Sequence, residues 1–375
     1  MARPFVYGMS VDEDNFTDRE LETKRLRLNF ENGVNSIIIS PRRMGKTSLV
    51  KHVQAQMQDS EDVKVVYMDI YKCRTEYDFY EKFASSIISA TSTRIERMIE
   101  MAKEFLMGIT PKLSYTPEPS SDFSLSLGIT PSNNTPEDVL ELPERIAGKL
   151  GVNIVVCIDE FQQVGEFPNS LSVQRCIRSV WQHHKHASYC LFGSKQHLMS
   201  QLFYSRKMPF YQFGDMFFLK KIGVEHWVPY IVSRFATANK VISSDRALRI
   251  CQRADCYPSY VQQLAWNVLA NSGDEVTDED LDAGFEATMA QVSPLFVEQT
   301  SGLTTYQLNF IRAICAGYHK NFGQREVTSR FDLGTRSILT KIINRLTEKE
   351  LIETSDEGFV LGDPLFEYWF AHFMM

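Results

Sequence analysis

The sequence lacks the features that mark several classes of protein. Its seven cysteines are odd in number and form no Cys-x-x-Cys pair, which argues against a disulfide framework or a zinc ribbon. No run approaches the roughly 18 consecutive apolar residues that span a bilayer, and no apolar signal segment follows the N-terminus. We therefore expect free thiols in a reducing cytoplasm and no membrane anchor.

Basic charge is also scarce. The chain has 40 Lys and Arg residues against 47 Asp and Glu, a net charge of −7. This balance argues against a globally basic nucleic-acid binder, although it leaves room for a local basic patch. Apolar residues make up 43% of the 375 positions and charged residues 23%, as in folded domains. The length predicts two or three such domains.

Short β-branched segments alternate with helix-length segments through the first part of the chain. The predicted strands lie at 34–40, 63–69, 154–158, 189–193 and 216–219. Strands separated by helices in this way favour a mostly parallel sheet with both faces covered, which is the α/β class. Residues 109–136 interrupt the alternation with five Pro among many Ser, Thr and Asn. We expect an insertion there, with a small hairpin around 123–129.

The strand signal ends near residue 222. A run of helices follows over 223–300, and residues 301–375 show three helices and two short extended segments, the composition of a winged helix. The predicted domains are therefore a core over 1–222, a helical domain over 223–300 and a winged-helix domain over 301–375.

The segment from Ser40 to Thr47 has the spacing of a phosphate-binding loop. It follows a strand, opens a helix and matches Gly-x-x-x-x-Gly-Lys-Thr, except that Ser40 replaces the first Gly. Loop amides would face the phosphates of ATP or ADP, and Gly45 would let the backbone approach. Lys46 would reach the outer phosphates and Thr47 would ligate Mg²⁺. The alternative is a chance Gly-Lys-Thr at a helix start. The predicted nucleotide contacts are Ser40, Pro41, Arg42, Arg43, Met44, Gly45, Lys46, Thr47 and Ser48.

A second motif fits the first. The apolar strand at 154–158 runs into two carboxylates, Asp159 and Glu160, a pattern typical of the Walker B motif. Asp159 would hold Mg²⁺, directly or through a water, and Glu160 would orient and polarise the attacking water. Adjacent carboxylates repel each other unless a cation relieves them. The alternative is a solvated strand end followed by a helix cap. Together the two motifs predict hydrolysis of ATP.

Other candidates have weaker signals. Ser194 closes the strand at 189–193 and would sense the terminal phosphate, or it belongs to an ordinary strand-end turn. Arg206, the neighbouring Lys207, or Arg178 on the preceding helix could serve as a charge-stabilising arginine finger. A solvated loop is the other interpretation of Arg206 and Lys207.

Two further groups of charged residues leave alternatives open. Arg42 and Arg43 lie inside the phosphate loop and either contact phosphate or carboxylates or face solvent. The histidines at 183, 184 and 186 lie near a helix end without a suitably spaced set of carboxylate or Cys ligands. We interpret them as an exposed polar helix end.

With these motifs in place, the sequence resembles the archaeal-type P-loop ATPases, which are relatives of the AAA+ and STAND ATPases. The resemblance covers nearly the whole chain, and Ser40 and Cys256 stand where the family has Gly. The matching segments are an entry segment (6–8 and 16–20), the phosphate loop (41–49), an Asp-Glu-Phe-Gln box (158–162), a Gly-Ser strand end (192–194), a lid motif (256–262) and a closing Asp-Pro segment (363–369).

The resemblance implies a RecA/AAA-like core, a helical lid and a C-terminal winged helix. In proteins of this kind the entry segment and the lid proline surround the adenine. By that analogy Tyr7, Gly8, Arg19 and Pro258 are candidates for the nucleotide pocket. A packing or surface role is the alternative for Tyr7 and Arg19, and a helix–helix turn for Pro258.

Three hypotheses address what the ATPase is for. The first is a nucleotide-driven switch for a protein partner or a second copy, which suits the acidic net charge. The second is a DNA-binding ATPase that uses Arg336, Lys341 and Arg345 on the recognition helix, although that helix also carries an apolar face. The third, a small-molecule kinase, needs neither Glu160 nor a winged helix.

Overall fold

The computed structural model describes residues 3–11, 15–92, 95–106, 112–114, 124–130 and 135–375. They form two compact units. The sheet unit comprises Arg19–Lys220, and the helical unit comprises Met1–Asp18 and Lys221–Met375. The structural boundary at the end of the sheet unit lies close to the predicted one at 222. The first eighteen positions, however, group with the C-terminal part of the chain, whereas the predicted core includes them.

The described part of the chain contains nine strands. They are β1 (Ser36–Ile39), β2 (Val63–Asp69), β3 (Lys112–Ser114), β4 (Ser124–Ser126), β5 (Asn153–Asp159), β6 (Ala187–Gly193), β7 (Asp215–Phe218), β8 (Ile352–Ser355) and β9 (Gly358–Leu361).

Sixteen α-helices lie in the same described residues. They are α1 (Glu20–Glu31), α2 (Lys46–Gln56), α3 (Glu76–Thr91), α4 (Ile95–Phe105), α5 (Pro136–Leu140), α6 (Leu142–Leu150), α7 (Ser170–Trp181), α8 (Gln196–Tyr204), α9 (Val224–Thr237), α10 (Ser244–Arg253), α11 (Pro258–Asn271), α12 (Asp278–Ser301), α13 (Thr305–Cys315), α14 (Arg325–Phe331), α15 (Arg336–Glu348) and α16 (Pro364–Phe373). None of them has the length and apolarity that a membrane crossing requires.

A five-stranded parallel sheet forms the centre of the sheet unit, in the order β2-β5-β6-β1-β7. All residues of β1 and β6 are buried, as expected for central strands covered on both faces. The prediction of an α/β fold is confirmed. Because β5, β6 and β1 are neighbours, the residues that follow them meet at one edge of the sheet.

The predicted insertion contains the antiparallel pair β3 and β4. A hairpin was expected around 123–129, whereas the described residues there form one strand, which pairs with Lys112–Ser114. The backbone after β4 is tied to α3, because the Glu81 carboxylate accepts a hydrogen bond from the amide of Ile129 over 2.9 Å. The remainder of the predicted insertion, at 109–111, 115–123 and 131–134, lies outside the described residues.

Several helices differ from the sequence prediction. The sequence pattern over 136–149 predicts one helix, but the structure divides it into α5 and α6, because Pro143 in the first turn of α6 lacks the N–H that a continuous helix needs. The pattern also predicts a helix over 278–290, and the observed helix α12 continues to Ser301 through Pro294. The periodicity did not reveal α4 or α8.

The helical unit contains the predicted run of helices and the winged helix with its strands β8 and β9. Contacts within the unit join α11, α12 and α16. The hydroxyl of Tyr260 donates to the carboxylate of Asp363, which caps α16. The rings of Phe296 and Trp369 lie 5.8 Å apart between centroids. The division of this unit into a domain over 223–300 and one over 301–375 stays a prediction.

Candidate functional site

The phosphate loop lies between β1 and α2. Ser40 follows β1 directly and is fully buried, so it fits the position where the motif has Gly. Gly45 precedes α2 with φ +85°, a left-handed conformation that glycine adopts without steric cost. The loop therefore leads into a helix N-terminus whose first amides have no partner within the helix, which is an arrangement that binds anions.

The ammonium group of Lys46 lies over this loop. Its Nζ donates hydrogen bonds to the carbonyl oxygen of Ser40 over 2.7 Å and to that of Pro41 over 2.8 Å. The side chain is buried, with 6% of its surface exposed. The backbone carbonyls thus hold the cation at the loop that leads into the first amides of α2.

Asp159 ends β5 beside the start of α2. Its Oδ2 accepts a hydrogen bond from Oγ1 of Thr47 over 2.7 Å and another from the hydroxyl of Tyr67 over 3.1 Å. Its Oδ1 accepts from the amide of Glu160 over 2.9 Å. Asp69 ends β2 in register with Asp159, so two carboxylates occur side by side at this edge.

Burial, together with the charges of the neighbouring Glu160 and Asp69 carboxylates, raises the pKa of Asp159 to about 6, against the lowering effect of the hydrogen bonds from Thr47 and Tyr67. An ionised Asp159 is therefore costly here unless a cation is bound. The paired oxygens of Thr47 and Asp159 are hard donors of the kind that Mg²⁺ prefers. The residues present fit a magnesium ion.

Glu160 is positioned by two side chains. Its Oε2 accepts hydrogen bonds from Oγ of Ser194, over 3.0 Å, and from Nε2 of Gln162. The backbone of Glu160 has φ +57°, a left-handed conformation that is uncommon for a residue with a side chain. A Cβ added to Gly193 would lie 1.8 Å from Oε1 of Gln162, so the absence of a side chain at this position makes room for the glutamine.

Arg19 contacts the phosphate loop from α1. It is 3% exposed, its Nη2 donates to the carbonyl oxygen of Met44 over 3.1 Å, and its Nη1 pairs with the Glu22 carboxylate over 3.0 Å. The structure thus places this predicted pocket residue beside the backbone of the loop. The other three pocket candidates lie in the helical unit, and their role in nucleotide binding stays a prediction.

Those three residues occupy ordered positions within the helical unit. Tyr7 is half-buried, and Gly8 is exposed with φ +78°. Pro258 is the first residue of α11. The entry segment contacts the same helix, because the amide of Val6 donates to Oε1 of Gln262 over 3.2 Å.

The finger candidates lie outside the group at the sheet edge. Arg206 and Lys207 are exposed in the loop after α8. Arg178 donates from Nε to the carbonyl oxygen of Pro209 over 3.2 Å and lies 5.0 Å from the ring centroid of Phe213. Arg42 and Arg43 in the phosphate loop are exposed, and Arg43 adopts φ +68°. The assignment of an arginine finger stays a prediction.

The histidine group differs from its prediction. The side chain of His184 is only 1% exposed, and its Nδ1 lies 2.8 Å from the hydroxyl of Tyr189. The interpretation as an exposed helix end was therefore wrong for His184, because the segment after α7 places the ring against Tyr189 of β6. The described residues contain no group of three or more His, Cys, Asp or Glu side chains arranged to hold a metal.

Two site residues were missed by the sequence reasoning, Tyr67 and Gln162. Gln162 belongs to the Asp-Glu-Phe-Gln box, so its position two residues after Glu160 could have identified it as a site residue. Tyr67 had none, because its contact with Asp159 depends on the pairing of β2 with β5.

Comparisons with known proteins agree with this geometry. A family model described as an ATPase domain predominantly from Archaea matches residues 16–209. A second model, described as a probable winged helix domain, matches residues 294–372. The uncharacterized ATP-binding protein MJ1659 of Methanocaldococcus jannaschii is 29% identical over 169 residues, which cover 42% of this chain and 45% of that protein. The match thus spans less than half the length of this relative.

Solved structures share the fold. The Walker-type ATPase PABY2304 of Pyrococcus abyssi has a TM-score of 0.71 at 16% identity and covers 98% of this chain and 99% of its own. The ORC2 protein of Aeropyrum pernix, in ADPNP–ADP complexes, has a TM-score of 0.57 at 15% identity, with 96% of this chain and 95% of its own covered.

Proposed function

Since the chain belongs to the family of ATPase domains found predominantly in Archaea, we propose that it hydrolyses ATP to ADP and phosphate with the help of Mg²⁺. The observation that carries this proposal is the meeting of Lys46, Thr47, Asp159, Glu160 and Ser194 at one edge of the sheet. An ammonium group, hard oxygen donors and a positioned carboxylate are the groups that phosphoryl transfer to water needs.

The loop and Lys46 would bind the triphosphate. The amides at the start of α2 point toward the phosphates, and the Lys46 ammonium donates to the outer phosphate oxygens. Thr47 and Asp159 would hold the magnesium ion. When bound, the ion neutralises charge on the phosphate oxygens and aligns them for in-line attack.

Glu160 would orient the attacking water. Ser194 and Gln162 both donate to Oε2 of Glu160, and no described residue donates to Oε1. Oε1 would accept the hydrogen bond of the water and take up its proton as the water oxygen bonds to the γ-phosphorus and the bond to the ADP oxygen breaks. Ser194 is a positioning residue in this scheme.

We propose further that the nucleotide state switches the binding of a protein partner or of a second copy. The net charge of −7 supports a protein partner over a general nucleic-acid role. The seven cysteines are all free thiols, which supports a reducing compartment such as the cytoplasm.

DNA binding through the winged helix is the second candidate. Arg336 and Lys341 are exposed on α15, as a phosphate-contacting helix requires. Arg345 instead pairs with Glu348 over 3.0 Å, so part of its charge is already compensated. The ORC1 protein of Aeropyrum pernix, solved in complex with DNA, shares the fold with a TM-score of 0.50 at 13% identity. A gel shift with duplex DNA tests this candidate. A salt-sensitive shift of the wild type that is lost in the double variant Arg336→Ala with Lys341→Ala would support it, and no DNA binding by the wild type at low salt would remove it.

Phosphate release from ATP tests the main proposal. The wild type should release phosphate only with Mg²⁺ present, and Lys46→Ala should lose ATP affinity because the phosphates lose their cation. Lys82→Ala, which removes an exposed lysine of α3 in the same unit, is the control and should bind ATP like the wild type. Unchanged ATP binding in Lys46→Ala would contradict the assignment of the loop.

A further inference from the structure

A stretch of 48 residues in the sheet unit carries no carboxylate side chain. Between Glu166 and Asp215 the sequence has no Asp or Glu, although 47 of the 375 residues are acidic. Six lysines and arginines fall in this stretch: Arg175, Arg178, Lys185, Lys195, Arg206 and Lys207. An acidic chain therefore contains one long segment of purely positive charge.

The fold gathers part of this charge on one surface. We call it the basic face: Arg175, Arg178 and Ser179 of α7, Gln182 directly after this helix, and Lys207 of the loop after α8. These residues, with Met208 and Pro209, line a shallow cavity of about 250 Å³. Positions three, four and seven apart lie on the same side of a helix, so α7 and the residue after it present the two arginines and the amide together.

The guanidinium of Arg178 is fixed in this face. It lies 5.0 Å from the centroid of the Phe213 ring and donates through Nε to the carbonyl oxygen of Pro209. Burial lowers the pKa of Arg178, because desolvation disfavours the charged form. An arginine remains protonated all the same, so its terminal nitrogens present a positive charge at a partly dry surface.

No carboxylate of the described residues compensates these cations. The ion pairs among those residues involve none of Arg175, Arg178 and Lys207, whereas Lys195 of the same stretch pairs with Glu166. Arg175 and Lys207 are exposed. Three cations on one face, none in an ion pair with a carboxylate of the described residues, fit an anionic ligand from outside.

We propose that the basic face binds the phosphodiester backbone of a nucleic acid, without reading its sequence. The cations are spread along an open surface and do not enclose a pocket, which suits a repeating chain of phosphates. A small phosphate ligand would normally be buried in a larger, closed cavity. All residues of this surface belong to the sheet unit and none to the winged helix, so the proposal does not depend on Arg336 or Lys341.

Fluorescence anisotropy with a labelled duplex of about 20 base pairs, in the absence of ATP, tests the proposal. The double variant Arg175→Gln with Lys207→Gln should bind at least about tenfold more weakly at low salt, and the slope of log K against log salt should become shallower by about 2. The variant Lys24→Gln with Arg74→Gln removes two exposed charges elsewhere in the same unit and should bind like the wild type. Equal melting temperatures would show that the variants fold.

Two results would overturn the proposal. One is an affinity for the duplex in the double variant Arg175→Gln with Lys207→Gln that equals that of the wild type. This includes the case in which only the winged-helix variant, Arg336→Ala with Lys341→Ala, loses duplex binding. The other is a loss of ATP-dependent self-association without a loss of duplex binding, which would make the face an interface between copies. The Lys46→Ala variant should still bind the duplex, so failure of the ATPase proposal and failure of this one are distinguishable.

Discussion

Oγ1 of Thr47 donates a hydrogen bond to Oδ2 of Asp159 over 2.7 Å, although 112 positions separate the two residues. The parallel sheet creates this proximity, because β1 and β5 both end at the edge where α2 begins. A threonine at the start of a helix or an aspartate at the end of a strand is common by itself. Their pairing supplies the two oxygens that a magnesium ion would share.

The raised pKa of Asp159 predicts a specific pH dependence of stability. Its pKa rises from 3.8 to about 6, so between these values the folded state holds a proton that the unfolded state has lost. The contribution of Asp159 to the free energy of unfolding therefore falls as pH rises through this window, by roughly 3 kcal/mol in total. Asp159→Asn removes this contribution.

Thermal melting in the absence of Mg²⁺ and nucleotide measures this contribution of Asp159 to stability. The melting temperature of Asp159→Asn minus that of the wild type should increase from about pH 4 to about pH 6 and stay constant above. The exposed Asp59→Asn variant is the control for removal of a carboxylate. A difference that is flat or decreases over this range would contradict the account of Asp159.

Ser194 should affect turnover and leave substrate binding intact. Ser194→Ala removes the hydroxyl that holds Oε2 of Glu160, and Glu160 would then be positioned by Gln162 alone. We expect kcat to fall about tenfold, which is part of the roughly 10²–10⁴-fold that a positioned acid–base group contributes, with KM for ATP little changed. Ser194→Thr keeps the hydroxyl and should recover most of the rate, and Ser200→Ala is the control. A rise in KM without a fall in kcat would assign Ser194 to nucleotide binding.

Arg19 should influence the phosphate loop. Arg19→Ala leaves the buried carbonyl of Met44 without this donor, which costs on the order of 1–3 kcal/mol. The loop should become less ordered, and the affinity for ATP should drop about fivefold or more by calorimetry. Arg27→Ala on the same helix breaks an exposed pair with Glu31 and should have little effect, as exposed pairs contribute little. Equal affinities of the two variants would show that the Arg19 contact has no role in binding.

Local sequence patterns were sufficient for much of the fold. The strand at 63–69 was predicted with its observed bounds, because a β-branched run between turns has few alternatives. The phosphate loop was recognisable since its function depends on residues adjacent in sequence. α8 was not predicted, because it begins directly after a strand-end turn and has neither an acidic first turn nor a side-chain cap.

The contacts between strand ends needed the tertiary structure. Asp69 was predicted as part of a strand, yet its place beside Asp159 follows from the register of β2 against β5. Likewise, Ser194 was considered a phosphate sensor from its position, whereas its hydroxyl contacts Glu160. Sequence spacing gives the strand on which a side chain lies, but only the order of the strands determines which side chains meet.

The most direct test of the central claim is turnover in Glu160→Gln. The amide keeps the shape of the side chain but cannot take the proton of the attacking water, so phosphate release should fall by about 100-fold or more while ATP affinity stays within about threefold of the wild type. Glu166→Gln, at the end of the 3₁₀ helix Phe161–Glu166 that follows Glu160, is the matched control and should turn over normally. Wild-type turnover in Glu160→Gln would show that this residue does not activate water and would contradict the proposed mechanism.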